Sequence, residues 1–155
     1  MNSPSMEESA TRSHLRRGLE AHLAELGYSG VRARTSATPA PEVVRVNPVR
    51  GRIVYGETVL RSDLRSRRCR ERLVSFSQRR TRHRSSILFF IAVSEEDRPA
   101  LEALLEELDI RSAVRGGHVH VVSVVAPEAK RAGRSAGASS STNRNRGRAR
   151  PSPKN

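Results

Sequence analysis

Apolar residues recur at helical spacing in three stretches of the chain and alternate or run together in the others, which predicts helices interleaved with strands. In SHLRRGLEAHLAELGYSG, residues 13–30, Leu15, Leu19, His22, Leu23 and Leu26 share one side of a helix, and Gly27 follows as a stop. VRART, 31–35, alternates weakly and reads as a short strand, followed by an irregular SATPAP connection. In PEVVRVNPVRGRIVYGETVL, 41–60, two extended runs flank NPVRG, whose Asn, Pro and Gly suit a hairpin turn. Ser62 then offers an N-cap for a helix over 62–82, in which Cys69, Leu73 and Phe76 recur at i, i+4 and i+7. ILFFIAV, 87–93, is unbroken, as a strand covered on both faces should be. In SEEDRPALEALLEELDI, Pro99 suits a first helical turn, and Leu101, Leu104, Leu105 and Leu108 form a core-facing stripe. RGGHVHVVSVV supplies a Gly-Gly turn and a last strand over 118–125.

The hairpin carries the first hint of chemistry. With Val49 and Arg50 at its tip, Val44 faces Tyr55 and Glu42 faces Glu57. One face then reads Glu42, Val44, Val46, Ile53, Tyr55, Glu57 and Val59, because alternate residues of a strand point the same way. Opposed like charges destabilise a ladder, and two carboxylates sharing a site drive one of them to hold its proton unless a cation intervenes. Three resolutions are open: the register slips by a residue, Arg45, Arg52 or Arg61 screens the pair, or a divalent metal sits between the acids.

Charge changes the picture further. The 155 residues, about one domain, carry a formal +13, and of the 29 Lys and Arg only Lys130 and Lys154 are lysines. Apolar residues make up 35% and aromatics 3%, so any core is aliphatic and modest. A positive surface rich in the fixed fork of Arg attracts phosphate polyanions, which makes nucleic acid the leading partner. The segment Arg61–Arg84 holds ten arginines against Asp63 and Glu71; Arg65, Arg67, Arg68, Arg72, Arg79, Arg80, Arg82 and Arg84 are the candidate phosphate contacts. Residues 126–155 lack apolar periodicity and carry eight Lys and Arg against Glu128, which predicts a disordered basic tail able to add salt-sensitive contacts. A frayed leader is expected over 1–10, leaving a folded region of 11–125. Cys69 is the one cysteine, so no internal disulfide can form, which suits a reducing compartment. No stretch approaches the ~18 apolar residues of a membrane span, and the first residues lack a secretory pattern. A soluble cytoplasmic or otherwise intracellular protein without a membrane partner is therefore expected.

Helix, weak strand, hairpin, basic helix, buried strand, acidic-faced helix and final strand form an α/β order. If the basic helix is a right-handed crossover from the hairpin to the buried strand, the result is a mixed sheet flanked by helices. With Pro41–Glu42 before one strand and GETVL on the next, the chain resembles the PD-(D/E)XK nuclease superfamily over roughly residues 13–125. That resemblance implies a restriction-endonuclease-like αβββαβ core, here followed by a further helix and strand. It also implies Mg²⁺ or Mn²⁺ held for phosphodiester hydrolysis, on DNA more than RNA. Glu42 stands where the family has Asp, Glu57 matches the second acid, and Val59 occupies the place of the Lys. The motif is thus degenerate, and the implied endonuclease site is impaired or rearranged. Arg61, two residues beyond Val59, is the candidate replacement cation and third catalytic residue, with Arg72 or Gln78 of the basic helix also able to reach inward. The alternative is a non-catalytic DNA- or RNA-binding module on the same scaffold. Glu20 and Glu25 are weaker candidates for an added helix ligand. His118 and His120, expected on one strand face, have a spacing compatible with a transition metal.

Overall fold

The computed structural model describes residues 5–31, 39–81 and 83–125. The expectations for residues 1–4, for most of the 31–35 strand and its connection, for Arg82 and for the 126–155 tail lie outside the described residues.

The first helix, α1 (Met6–Glu25), starts earlier than its apolar stripe suggests. Ser5 accepts from the Glu8 amide at 3.1 Å, and the Glu8 carboxylate accepts from the Ser5 amide at 3.3 Å. This reciprocal cap satisfies two otherwise orphaned donors and stabilises the helix end by about 1 kcal/mol. The leader expected over 1–10 is corrected accordingly: residues 6–10 are helical. Strand β1 (Gly30–Val31) pairs antiparallel with β2 (Val43–Val46).

Strands β2 and β3 (Ile53–Val59) form the expected hairpin in the expected register, with Val44 opposite Tyr55 and Val46 opposite Ile53. Its turn is built by Asn47, whose side-chain oxygen accepts from the amides of Val49 (2.9 Å) and Arg50 (3.0 Å). Gly51 closes the loop at φ 68°, a left-handed conformation that glycine adopts without strain. The register is therefore a local property of the turn.

Beyond β3 the chain departs from expectation. Residues Arg61–Arg65 form a 3₁₀ turn, and α2 (Arg67–Ser77) begins after Ser66, whose hydroxyl accepts from the Cys69 amide at 3.3 Å. Ser62 is not the cap, because Asp63 already satisfies the Leu60 amide at 2.9 Å and holds the tighter turn. The helix ends at Ser77, not 82; Arg80 instead bridges to Ser86 in a short antiparallel contact. Strand β4 (Leu88–Ser94), helix α3 (Arg98–Glu107) and strand β5 (Val119–Val124) complete the chain's described part.

The fold is α/β, with a five-stranded mixed sheet of order β1-β2-β3-β4-β5 flanked by helices. β4 is parallel to β3 and β5, as helical crossovers require. On one face Leu73 and Phe76 of α2 and Leu101, Leu104 and Leu105 of α3 pack on Tyr55, Val59, Phe89, Ile91 and Val93. On the other, Leu15, Leu19 and Leu23 of α1 pack on Val43, Val54, Phe90 and Ala92. Both faces of β4 are thus covered, which is why ILFFIAV carries no polar residue. Gly56 permits this arrangement: a Cβ there would stand 2.8 Å from Leu19 Cδ2 and 3.1 Å from Val43 Cβ. The close approach of α1 to β3 carries Arg12, one turn before Leu15, to the end of β3.

Candidate functional site

Glu57 and Thr58 are the buried polar residues of the described chain. They sit at the end of β3, where the parallel strands finish and ligands commonly bind in open α/β sheets. Because consecutive strand residues point oppositely, Glu57 faces α2 and Thr58 faces α1. Glu42, just before β2, lies across from both, and its amide donates to Glu57 Oε1 at 3.1 Å. The two acids line one cavity of about 310 Å³, together with Arg12, Thr58, Asp63, Ser66, Arg68, Cys69 and Arg72. The expected convergence of Glu42 and Glu57 therefore occurs, and no register slip is needed.

The compensating cations are not those expected from the hairpin. Arg72, from the second turn of α2, places Nη2 2.5 Å from Glu57 Oε1 and also donates to the Ala40 carbonyl at 3.0 Å. Its guanidinium lies 5.0 Å from the centre of the Phe76 ring. The Glu42 carboxylate accepts from Thr58 Oγ1 at 2.8 and 2.9 Å and from the Thr58 amide at 3.3 Å. Arg12 is 3.6 Å from Glu42, donates to the Thr58 carbonyl and hydroxyl at 3.1 Å, and pairs with Asp63 at 2.8 Å. Arg45 instead joins Glu20, at 3.1 Å.

Burial, and after it the Glu42 charge, push the Glu57 carboxyl up to about 7, although Arg72 pulls the other way. Near neutrality the acid pair therefore shares a proton for part of the time. Burial and the charges of Asp63 and Glu57 push the Cys69 thiol up to about 11. Cys69 is a protonated, unreactive wall of the cavity.

Arg61 does not reach the acids. Strand β3 ends at Val59, the chain turns at Leu60, and Arg61 points away to Asp97 at 2.9 Å, with 75% of its side chain exposed. Extrapolating strand alternation past the strand's end misplaced it. Val59 shares the face of Glu57 but is packed among the α2–α3 core residues. Glu20 is held by Arg16 and Arg45, and Glu25 is exposed, so α1 brings an arginine to the cavity instead of an acid. Gln78 lines a separate surface groove beside Leu108.

Of the candidate phosphate contacts, Arg65, Arg67, Arg68, Arg80 and Arg84 are exposed. Arg67 pairs with Glu71 at 2.9 Å, and Arg68 stands at the cavity with no ion pair among the described residues. Arg72 and Arg79 turn inward instead; Arg79 donates to the Pro39 carbonyl at 2.6 Å and lies over Phe76 at 4.8 Å. His118 and His120 do not form a pair on one face. The His118 ring lies 2.6 Å from the Ser77 carbonyl, whereas His120 stacks on Phe90 at 4.7 Å. Burial and the nearby His22 and His118 lower the His120 pKa.

Arg12, Thr58 and Asp63 are the site residues that sequence reasoning missed. The S-x-x-E pattern of Ser5 and Glu8 was the available signal for Arg12, since it extends α1 to include it. Among the described residues no group of three or more His, Cys, Asp or Glu is arranged around a common metal position. Mg²⁺, however, commonly takes only one or two carboxylates from protein and completes its shell with water and phosphate oxygens. As a donor set, Glu42 and Glu57 fit that mode; Asp63, committed to Arg12 and the Leu60 amide, does not add to it. Among the described residues no helix is long and apolar enough to cross a membrane. No protein-family model, curated protein or solved structure matches this chain, so the residues and their geometry carry the functional reading.

Proposed function

We propose that the chain acts on nucleic acid as a PD-(D/E)XK-like protein with a restriction-endonuclease-like core, and that its cavity is a rearranged metal-dependent phosphodiesterase centre. The observation that carries the reading is the convergence of Glu42 and Glu57 in one cavity at the end of β3, beside an arginine-rich helix. The element order, with strands in sequence order and β4 parallel to β3, supports it.

In this reading Glu42 and Glu57 hold Mg²⁺ or Mn²⁺, which supplies water activation and neutralises charge at the phosphate. Arg72 takes over the electrostatic part of the missing Lys, because its guanidinium lies at Glu57 while position 59 is sealed in the core. As a permanently protonated group it stabilises developing negative charge but accepts no proton. Thr58 orients Glu42 through its hydroxyl and amide. Exposed Arg65, Arg67, Arg68, Arg80 and Arg84 supply contacts along a phosphate backbone, with DNA favoured over RNA.

A second reading, a non-catalytic DNA- or RNA-binding module, is favoured by one observation: the acids are already matched by Arg72 and Arg12. Incubating plasmid DNA with Mg²⁺ or Mn²⁺ separates the two. Cleavage that disappears in Glu57→Gln supports the centre; salt-dependent binding by both proteins without cleavage by either leaves the binding module.

A further inference from the structure

The two inward arginines of the cavity are held very differently. Arg12 is tied by three contacts outside the metal-holding pair, to the Thr58 carbonyl, the Thr58 hydroxyl and Asp63, and approaches Glu42 only at a longer 3.6 Å. It clamps α1 to the end of β3. Among the described residues Arg72 has one ionic partner, Glu57, and two weaker supports, the Ala40 carbonyl and the Phe76 ring. Its side chain keeps 21% of its surface exposed, on the same cavity wall as Arg68, which has no ion pair among the described residues.

We infer that Arg72 is an exchangeable counter-ion, neutralising Glu57 by itself and passing to a backbone phosphate when a divalent cation takes Glu57. This rests on the reading of Glu42 and Glu57 as the metal-holding pair. A cation arriving at Glu57 removes the one charge that compensates Arg72 and sets a like charge beside it. A mostly buried guanidinium left in that position is costly unless an anion comes with the metal. A phosphate bridging Arg72 and Arg68 at the cavity mouth supplies that anion. Metal and polyanion therefore bind with positive linkage, and each must tighten the other by the same factor. Arg12 keeps Asp63 and the Thr58 oxygens when the cation engages Glu42, and stays in place.

The test uses the full chain and a short fluorescein-labelled DNA duplex with phosphorothioate linkages, so that cleavage does not interfere. Duplex affinity is read by anisotropy in EDTA and in Mn²⁺ at matched ionic strength, and Mn²⁺ binding is read separately from the free-ion paramagnetic resonance signal. Divalent ions ordinarily weaken protein–DNA contacts by competing for phosphate. Tightening by Mn²⁺ of about fivefold or more is expected for the wild-type chain. In Arg72→Gln the duplex affinity should no longer rise with Mn²⁺, while Mn²⁺ alone binds more tightly because its competitor is gone. Arg72→Lys, which keeps the charge, should retain part of the linkage and serves if the Gln variant folds poorly. A Glu57-dependent Mn²⁺ site whose ion leaves duplex binding unchanged or weaker overturns the exchange but spares the metal-site reading. Absence of any Glu57-dependent Mn²⁺ binding, with or without duplex, overturns both.

Discussion

Replacing Arg72 by Gln removes the cation that opposes the upward shift of the Glu57 carboxyl, and its effect on stability should depend on pH. In the wild-type chain Glu57 holds its proton to about 7, against 4.5 for the unconstrained group. The sign follows from proton linkage. Between these values the folded protein binds more protons than the unfolded chain, so stability from this group is complete below about 4.5 and is lost as pH rises through about 7. At pH 5 Glu57 is neutral, and Arg72→Gln forfeits an ordinary hydrogen bond, at a cost of about 1 kcal/mol. At pH 8.5 the variant must leave a buried carboxylate without its arginine or keep Glu57 protonated. The second course caps the added penalty, because holding protonated a group that titrates near 7 costs about 2 kcal/mol at that pH. Urea unfolding at both pH values should thus show destabilisation of about 1 kcal/mol at pH 5 and about 3 kcal/mol at pH 8.5. Equal destabilisation at the two pH values, or a larger one at pH 5, would refute both the shared proton and the role of Arg72.

Three further outcomes follow from the packing. Val59→Lys, which supplies the Lys that the nuclease resemblance lacks, should destabilise by at least about 2 kcal/mol in urea titrations and bring no gain in cleavage over the unaltered chain. Val59 is 1% exposed in the α2–α3 core and does not line the acidic cavity. Gly56→Ala should cost about 1–3 kcal/mol, since its Cβ meets Leu19 and Val43, both fully buried. A cost near zero in thermal unfolding would mean that α1 does not rest on β3. Alkylation of Cys69 by iodoacetamide at pH 8 should run about 100-fold more slowly than for a free thiol of pKa 9.0, and still accelerate above pH 9, because its own lies near 11. A rate plateau below pH 9 would contradict the buried, acid-flanked position.

What the sequence disclosed was local, and what it concealed was tertiary. The hairpin register was legible because Asn47 and Gly51 dictate a turn through their own backbone preferences, and the turn determines every pair above it. The Leu15–Leu19–Leu23 and Leu101–Leu104–Leu105 stripes were legible because helical periodicity records burial directly. The start of α2 was not, since Ser62 and Ser66 are equally good caps on paper and Asp63 decides between them by closing a 3₁₀ turn. Arg72 was one of several arginines able to reach the acids; choosing it over Arg61 required knowing where β3 stops. Arg12 is separated from Asp63 by 51 residues and from Thr58 by 46, and no spacing rule links them. Only the seating of α1 on Gly56 brings it there.

Surface turns are ordinarily where a protein drifts in length at little cost. The turn at Asn47–Gly51 does not have that freedom. One residue gained or lost there would rotate the whole preceding strand by half a period, exchanging which side chains meet water and which meet the interior. Glu42 would then be carried away from Glu57 even though neither had been altered. The most exposed part of the hairpin is thereby the part whose length is least negotiable, and a descendant of this chain could vary the letters of that loop far more readily than their number.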